Sequence, residues 1–193
     1  PSALEFKRRD HNAGNGTYFR EYLRQWLVDW VEENEKPDGG KWDIYKDGLK
    51  IYTTIDSRMQ SYAEQATSQW LTKLQKDFNA HWKGNKYEPW AYPYSGRTNP
   101  GLIDNAMKQS ERYRKMKKAG KSEDEINTAF QKKDTMTVFS WFAKNYDLDT
   151  VMSPYDSIKY VKKTLQPGFM AMDPHTGEIK AWVGGVDMRY YQL

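Results

Sequence analysis

The side chains that could do chemistry in this chain are few and scattered. There are three histidines, His11, His81 and His175, and no cysteine at all. No His-Glu-x-x-His is present, so neither a helix-borne zinc site nor a thiolate cluster is encoded. Gly-x-x-x-x-Gly-Lys-Ser/Thr and Gly-x-Gly-x-x-Gly are both missing, which removes the glycine-rich loops that cradle phosphates. No Gly-x-Ser-x-Gly elbow occurs, no serine is followed three residues later by lysine, and neither Ser-x-Asn nor Lys-Thr-Gly is found. Asp134, Asp147 and Asp149 could serve as acid–base carboxylates, but no base or orienting group accompanies them in the sequence. Glu123, Asp124 and Glu125 are adjacent and suit the positive end of a helix dipole better than paired catalysis. The sequence therefore predicts no catalytic residue, no cofactor site and no metal site.

Two surface features suggest binding. Trp82, Tyr87, Trp90, Tyr92 and Tyr94 sit in or beside a proline-interrupted aromatic loop, and flat aromatic faces suit the C–H side of a sugar ring. Packing over neighbouring helices is the plainer reading of the same residues. The stretch Lys108–Lys121 holds seven basic residues against one acid, Glu111. It could contact phosphates, although Arg112, Arg114, Lys115, Lys117 and Lys118 spread around most of a helix, as a solvated face would.

These residues are carried by elements that local rules predict. Net charge is only +4, and 29 aromatic residues in 193 can supply a core that the aliphatic content alone would not. No apolar run approaches the ~20 residues that span a bilayer, and no signal-peptide pattern opens the chain. Phe19, Leu23, Trp26, Leu27, Trp30 and Val31 recur at helical spacing from Thr17, and Lys36–Gly40 ends that helix. Leu49–Ile55 alternates as a strand would. Asp56 is an N-cap for a helix running to about Trp82, with Met59, Ala63, Ala66, Trp70, Leu74 and Phe78 as its buried stripe and Gly84 as its stop. His81, near that helix end, is expected to make an interior hydrogen bond. Asn99-Pro100 opens a helix that buries Leu102, Ile103, Ala106, Met107, Tyr113 and Met116 and stops at Gly120. Ser122 and Glu125 form a capping box for a short helix through Ile126 and Phe130. Residues 136–142 read as a strand with 149–152 returning beside it. Ser153 and Asp156 are a second capping pair for a helix over 154–166. Phe169–Asp173 and Glu178–Val183 flank a Pro-His-Thr-Gly turn, a β-hairpin with His175 solvated in its bend.

Three phrases in order resemble class A (bifunctional) penicillin-binding proteins. Asp47-Gly-Leu-Lys-Ile-Tyr-Thr-Thr-Ile-Asp56, continuing through Met59-Gln60 and Ala63-Glu64, is similar to their linker strand and helix. Residues 168–185, from Gly168-Phe-Met-Ala-Met-Asp to Val183-Gly-Gly185, resemble the first hairpin of their transpeptidase domain. Thr17–Arg24 is similar to the helix that leaves their glycosyltransferase domain. The resemblance implies a bacterial cell-wall synthase facing the periplasm from the inner membrane, with serine-acylating transpeptidation and lipid II polymerisation. It implies further that the transpeptidase serine would follow shortly after Gly184–Gln192 and the glycosyltransferase glutamates would precede Pro1, so no catalytic residue carries over.

The expectation is therefore an α+β fold, a small antiparallel sheet with a mainly helical insertion. Residues 1–46 would be a helical linker, 47–65 the linker strand and helix start, 66–133 the insertion, and 134–193 a β-rich segment opening the transpeptidase domain. Residues 49–55, 136–142 and 169–183 would share one sheet. On this reading the chain is a non-catalytic inter-domain fragment of a bifunctional peptidoglycan synthase. Its partners would be the parent's own glycosyltransferase and transpeptidase domains, with peptidoglycan or a periplasmic regulator as further candidates and no nucleic acid. Membrane attachment would come only from an N-terminal anchor outside this chain. The alternative is a glycan- or protein-binding periplasmic module using loop 87–94.

Overall fold

A computed structural model describes residues 14–90 and 99–191. Among them are six helices and two separate two-stranded antiparallel sheets, an α+β fold. The chain divides into two compact units, residues 1–69 with 166–193, and residues 70–165. Helix α2, Ser57–Trp82, gives its first half to one unit and its second half to the other.

The first unit holds α1 (Thr17–Glu33) and the hairpin β3 (Phe169–Met172) and β4 (Ile179–Val183) beside the start of α2. The turn forms as its residues dictate. Asp173 Oδ1 accepts from the His175 and Thr176 amides at 2.8 and 3.2 Å, and Gly177 takes a positive φ of 73°. One buried cluster here is made of small side chains, Ala63, Ala181 and Val183 with Ala171 against them, and Tyr18, Leu27 and Met188 are buried as well. Asp56 caps α2 as expected, accepting from the Arg58 and Met59 amides, which hold its carboxyl below the usual range.

The second unit holds α3 (Pro100–Gln109), α4 (Glu111–Lys118), α5 (Glu123–Gln131), β1 (Asp134–Phe139), β2 (Asp147–Met152) and α6 (Pro154–Lys163). Met107, Tyr113, Ile126 and Phe130 form its core, with Met116, Tyr155 and Ile158 packed on them. The capping box at Ser122 and Glu125 is complete in both directions. Beyond β1 the rings of Phe139, Trp141 and Tyr146 pack together, Phe139 edge-on to Trp141 at 5.0 Å and stacked on Tyr146 at 5.4 Å.

Several expectations are corrected. Residues 49–55 form no strand, and Ile51 and Tyr52 are exposed. Thr54 Oγ1 donates to Ile179 O at 2.7 Å and, just past the segment, the Asp56 amide donates to Lys180 O at 3.0 Å. β-propensity is a preference for a pleated, half-buried surface, and no ladder partner supplies one. The single shared sheet is likewise absent, because β1 pairs with β2 and β3 with β4, each across its own short connection. The strand expected to reach 142 ends at Phe139, where the Ser140 amide donates to Tyr146 O at 2.8 Å and closes a tight turn with Asn145 and Tyr146 at positive φ. The helix expected from Pro100 to Gly120 breaks at Ser110. Its hydroxyl donates to Met107 O at 2.6 Å and accepts from the Tyr113 amide, ending α3 and capping α4 in one residue. The last helix stops at Lys163, short of 166. His81 is exposed, edge-on to Trp82 at 5.4 Å.

The largest departure concerns α2. Its expected apolar stripe faces outward, with Met59, Trp70 and Leu74 exposed, while Gln60 and Gln75 are buried. Of that stripe, Ala63 is buried and Phe78 half-buried.

Candidate functional site

No catalytic constellation assembles from the carboxylates. Asp134 and Asp147 begin β1 and β2, and so stand at opposite ends of the ribbon. Asp149, opposite Thr137, accepts its hydroxyl at 2.6 Å. Glu123 and Glu125 are engaged structurally. Lys117 and the Tyr113 hydroxyl draw the Glu123 carboxyl below the usual range, and Lys121 with the Ser122 amide does the same for Glu125. Among the described residues no group of three or more His, Asp or Glu is placed to hold a metal ion.

The described aromatic residues of the proposed sugar platform each have their own local partner. Trp82 is half-buried beside Phe78, with centroids 6.2 Å apart. Trp90 lies under Lys163 Nζ at 5.4 Å, and that ammonium is also paired with Glu88 at 2.6 Å. Tyr87 is exposed, with Lys86 Nζ 5.8 Å from its ring centre. Tyr92 and Tyr94 lie outside the described residues.

What the structure does build is a pair of buried glutamines on α2, fifteen residues apart in sequence and alike in chemistry. In the first unit Gln60 Oε1 accepts from the Trp182 amide at 2.7 Å, and its Nε2 donates to Trp182 O at 2.8 Å. The side-chain amide thus imitates a neighbouring strand along β4. The same Nε2 donates to Glu64 Oε1 at 2.8 Å, and that oxygen also receives the Gly16 amide at 2.6 Å, which fixes the start of α1. In the second unit Gln75 Nε2 donates to Lys163 O at 3.0 Å and Oε1 accepts from the Leu165 amide at 2.8 Å, so this glutamine closes the end of α6. Sequence reasoning missed both, because glutamine carries no periodic apolar signal. The only clue was its neighbours' spacing, which pointed the wrong way.

Tyr18 makes a third anchor, in the first unit. Its ring packs on Gly184 and Gly185, where any Cβ on Gly185 would overlap it, and its hydroxyl donates to Tyr191 O at 2.8 Å. Burial, with the Asp187 carboxylate nearby, pushes its phenol up to about 12. Trp182 meanwhile stacks on Tyr22 at 5.2 Å. These contacts bind α1, the start of α2 and the hairpin together, yet β3 stays exposed. Phe169 and, on the other face of the strand, Met170 and Met172 are about half accessible. Only the edge of β3 toward β4 is paired among the described residues.

Residues 85–165 match the family model of the penicillin-binding protein middle domain. The match supports a penicillin-binding protein linker region at these residues. The match covers about two fifths of the sequence. It nearly coincides with the second unit, 70–165, and runs across the boundary drawn at 133 between helical block and β-rich segment. No curated protein and no solved structure matches the chain. A domain of this family points to the cell envelope, and among the described residues no helix is long and apolar enough to cross a membrane.

Proposed function

We propose that this chain is the non-catalytic connector of a bifunctional peptidoglycan synthase, holding a glycosyltransferase and a DD-transpeptidase in workable positions on the periplasmic side of the bacterial inner membrane. Its partners are then the parent's own two catalytic domains. The middle-domain match supports the penicillin-binding part of this reading. The observation that carries the rest is β3. A strand with Phe169 open on one face and Met170 and Met172 on the other, and with one edge unpaired among the described residues, has the composition of an interior strand lacking its sheet. Its sequence resembles the hairpin that opens a transpeptidase domain, so that domain is the proposed source of the missing neighbours.

The test is fragment complementation with a fluorescent penicillin. A transpeptidase domain expressed without its first hairpin is expected to be labelled only when this chain is added. Met170→Lys in this chain is expected to abolish that rescue. Labelling of a serine within this chain, or full labelling of the truncated domain alone, would overturn the proposal.

A further inference from the structure

The helix α4 carries more positive charge than its fold uses. Lys115 pairs with Glu111 at 2.8 Å, Lys117 with Glu123 at 2.6 Å and Lys121 with Glu125 at 2.8 Å. Arg112, Arg114 and Lys118 are exposed and form no ion pair or hydrogen bond among the described residues. Arg114 and Lys118 stand four residues apart on the side away from buried Tyr113, a like-charge spacing that weakens an isolated helix. Arg112 lies about 160° round the helix from Arg114 and is not part of that face. Arg114 and Lys118 neither cap, pair nor pack, so the fold does not account for them.

We infer that the outer face of α4 rests on an anionic lipid surface, Arg114 and Lys118 meeting phosphate-bearing headgroups. Guanidinium forks suit phosphate oxygens, and clustered Lys and Arg gain affinity additively on such a surface. The one aromatic residue of α4, Tyr113, is buried with its hydroxyl on Glu123. The face therefore presents charge without rings, which suits a headgroup layer better than a nucleic acid read by stacking. This contact goes beyond attachment through an N-terminal anchor. It rests on the penicillin-binding reading only for the presence of a membrane nearby.

Co-sedimentation of the whole chain with vesicles tests it. Binding is expected to vesicles of equal parts phosphatidylglycerol and phosphatidylcholine, to fall as salt rises, and to be absent from phosphatidylcholine alone. Removing one free cation is expected to weaken partitioning about fivefold, and Arg114→Gln with Lys118→Gln together about thirtyfold. Lys41→Gln with Lys50→Gln removes the same charge elsewhere and is expected to change partitioning less than twofold, about the resolution of such an assay. Equal loss in both double variants would overturn the assignment, as would binding that ignores salt or lipid charge. Displacement by inorganic pyrophosphate at micromolar concentration would also overturn it, showing a discrete phosphate site in place of a surface. The assay needs no penicillin and no second domain, so its failure leaves the connector reading untouched, and failed complementation leaves this result standing.

Discussion

The two units hold themselves together by different means. The second closes a core of large side chains, with Ile126 and Phe130 almost wholly buried. The first has a buried cluster of three small residues, with Tyr18, Leu27 and Met188 also buried, and ties its backbone segments together through Gln60, Glu64 and Tyr18. Directional polar contacts specify a geometry at little net gain in free energy, whereas apolar burial stabilises without specifying it as finely. The second unit thus has the makings of a self-sufficient module. The first leaves Phe169, Met170 and Met172 in water, as the proposed connector role requires.

The contrast can be broken most forcefully at Phe130. Phe130→Ala is expected to cost about 3–5 kcal/mol, because it removes a large side chain that is almost wholly buried. Denaturant unfolding would measure the loss, and hydrogen exchange would place it in α4, α5 and α6. A smaller effect is expected at the glutamines. Gln60→Ala leaves the Trp182 amide and carbonyl without their partner and should cost about 2 kcal/mol. It should also speed exchange of the Trp182 amide. Gln75→Ala breaks the matching contacts with Lys163 and Leu165, and exchange there should accelerate without spreading into the aromatic core. If Gln75→Ala instead unfolded the second unit, the proposed difference between the units would be lost.

Alkali sharpens the same comparison. The Tyr18 phenol is raised from 10.0 to about 12, so between those values the folded state keeps a proton that the unfolded state releases. Stability of the first unit is then present in full below pH 10 and declines as pH rises toward 12. Tyr18→Phe should remove this slope, as followed by amide exchange in α1 and β4. At the helix cap, Ser122→Ala is expected to cost about 1 kcal/mol, seen as a modest shift in the unfolding midpoint. Least of all, Met172→Lys should change the stability of this chain by no more than about 0.5 kcal/mol, since the side chain is already exposed. A large loss there would mean that β3 is internally supported after all.

Local chemistry by itself determined much of this protein. Asp56, Ser122 and Ser153 cap the helices they precede, each accepting an amide two or three residues on. The Asp173–Gly177 turn and its hairpin form for reasons contained within those few residues. Ser110 escaped notice because its flanking apolar spacing runs unbroken through the bend it creates. Tertiary structure alone decided which way α2 faces. Periodicity shows that a helix has an apolar stripe, but whether that stripe is buried depends on what packs against it. Here the backbone of β4 and the end of α6 required hydrogen-bonding partners, and Gln60 and Gln75 met that need. Likewise Leu49–Ile55 had the alternation of a strand and no ladder to join. Caps and turns are set by contacts within a few residues, whereas faces and sheet partners are set by groups far away along the chain, whose positions no local pattern records.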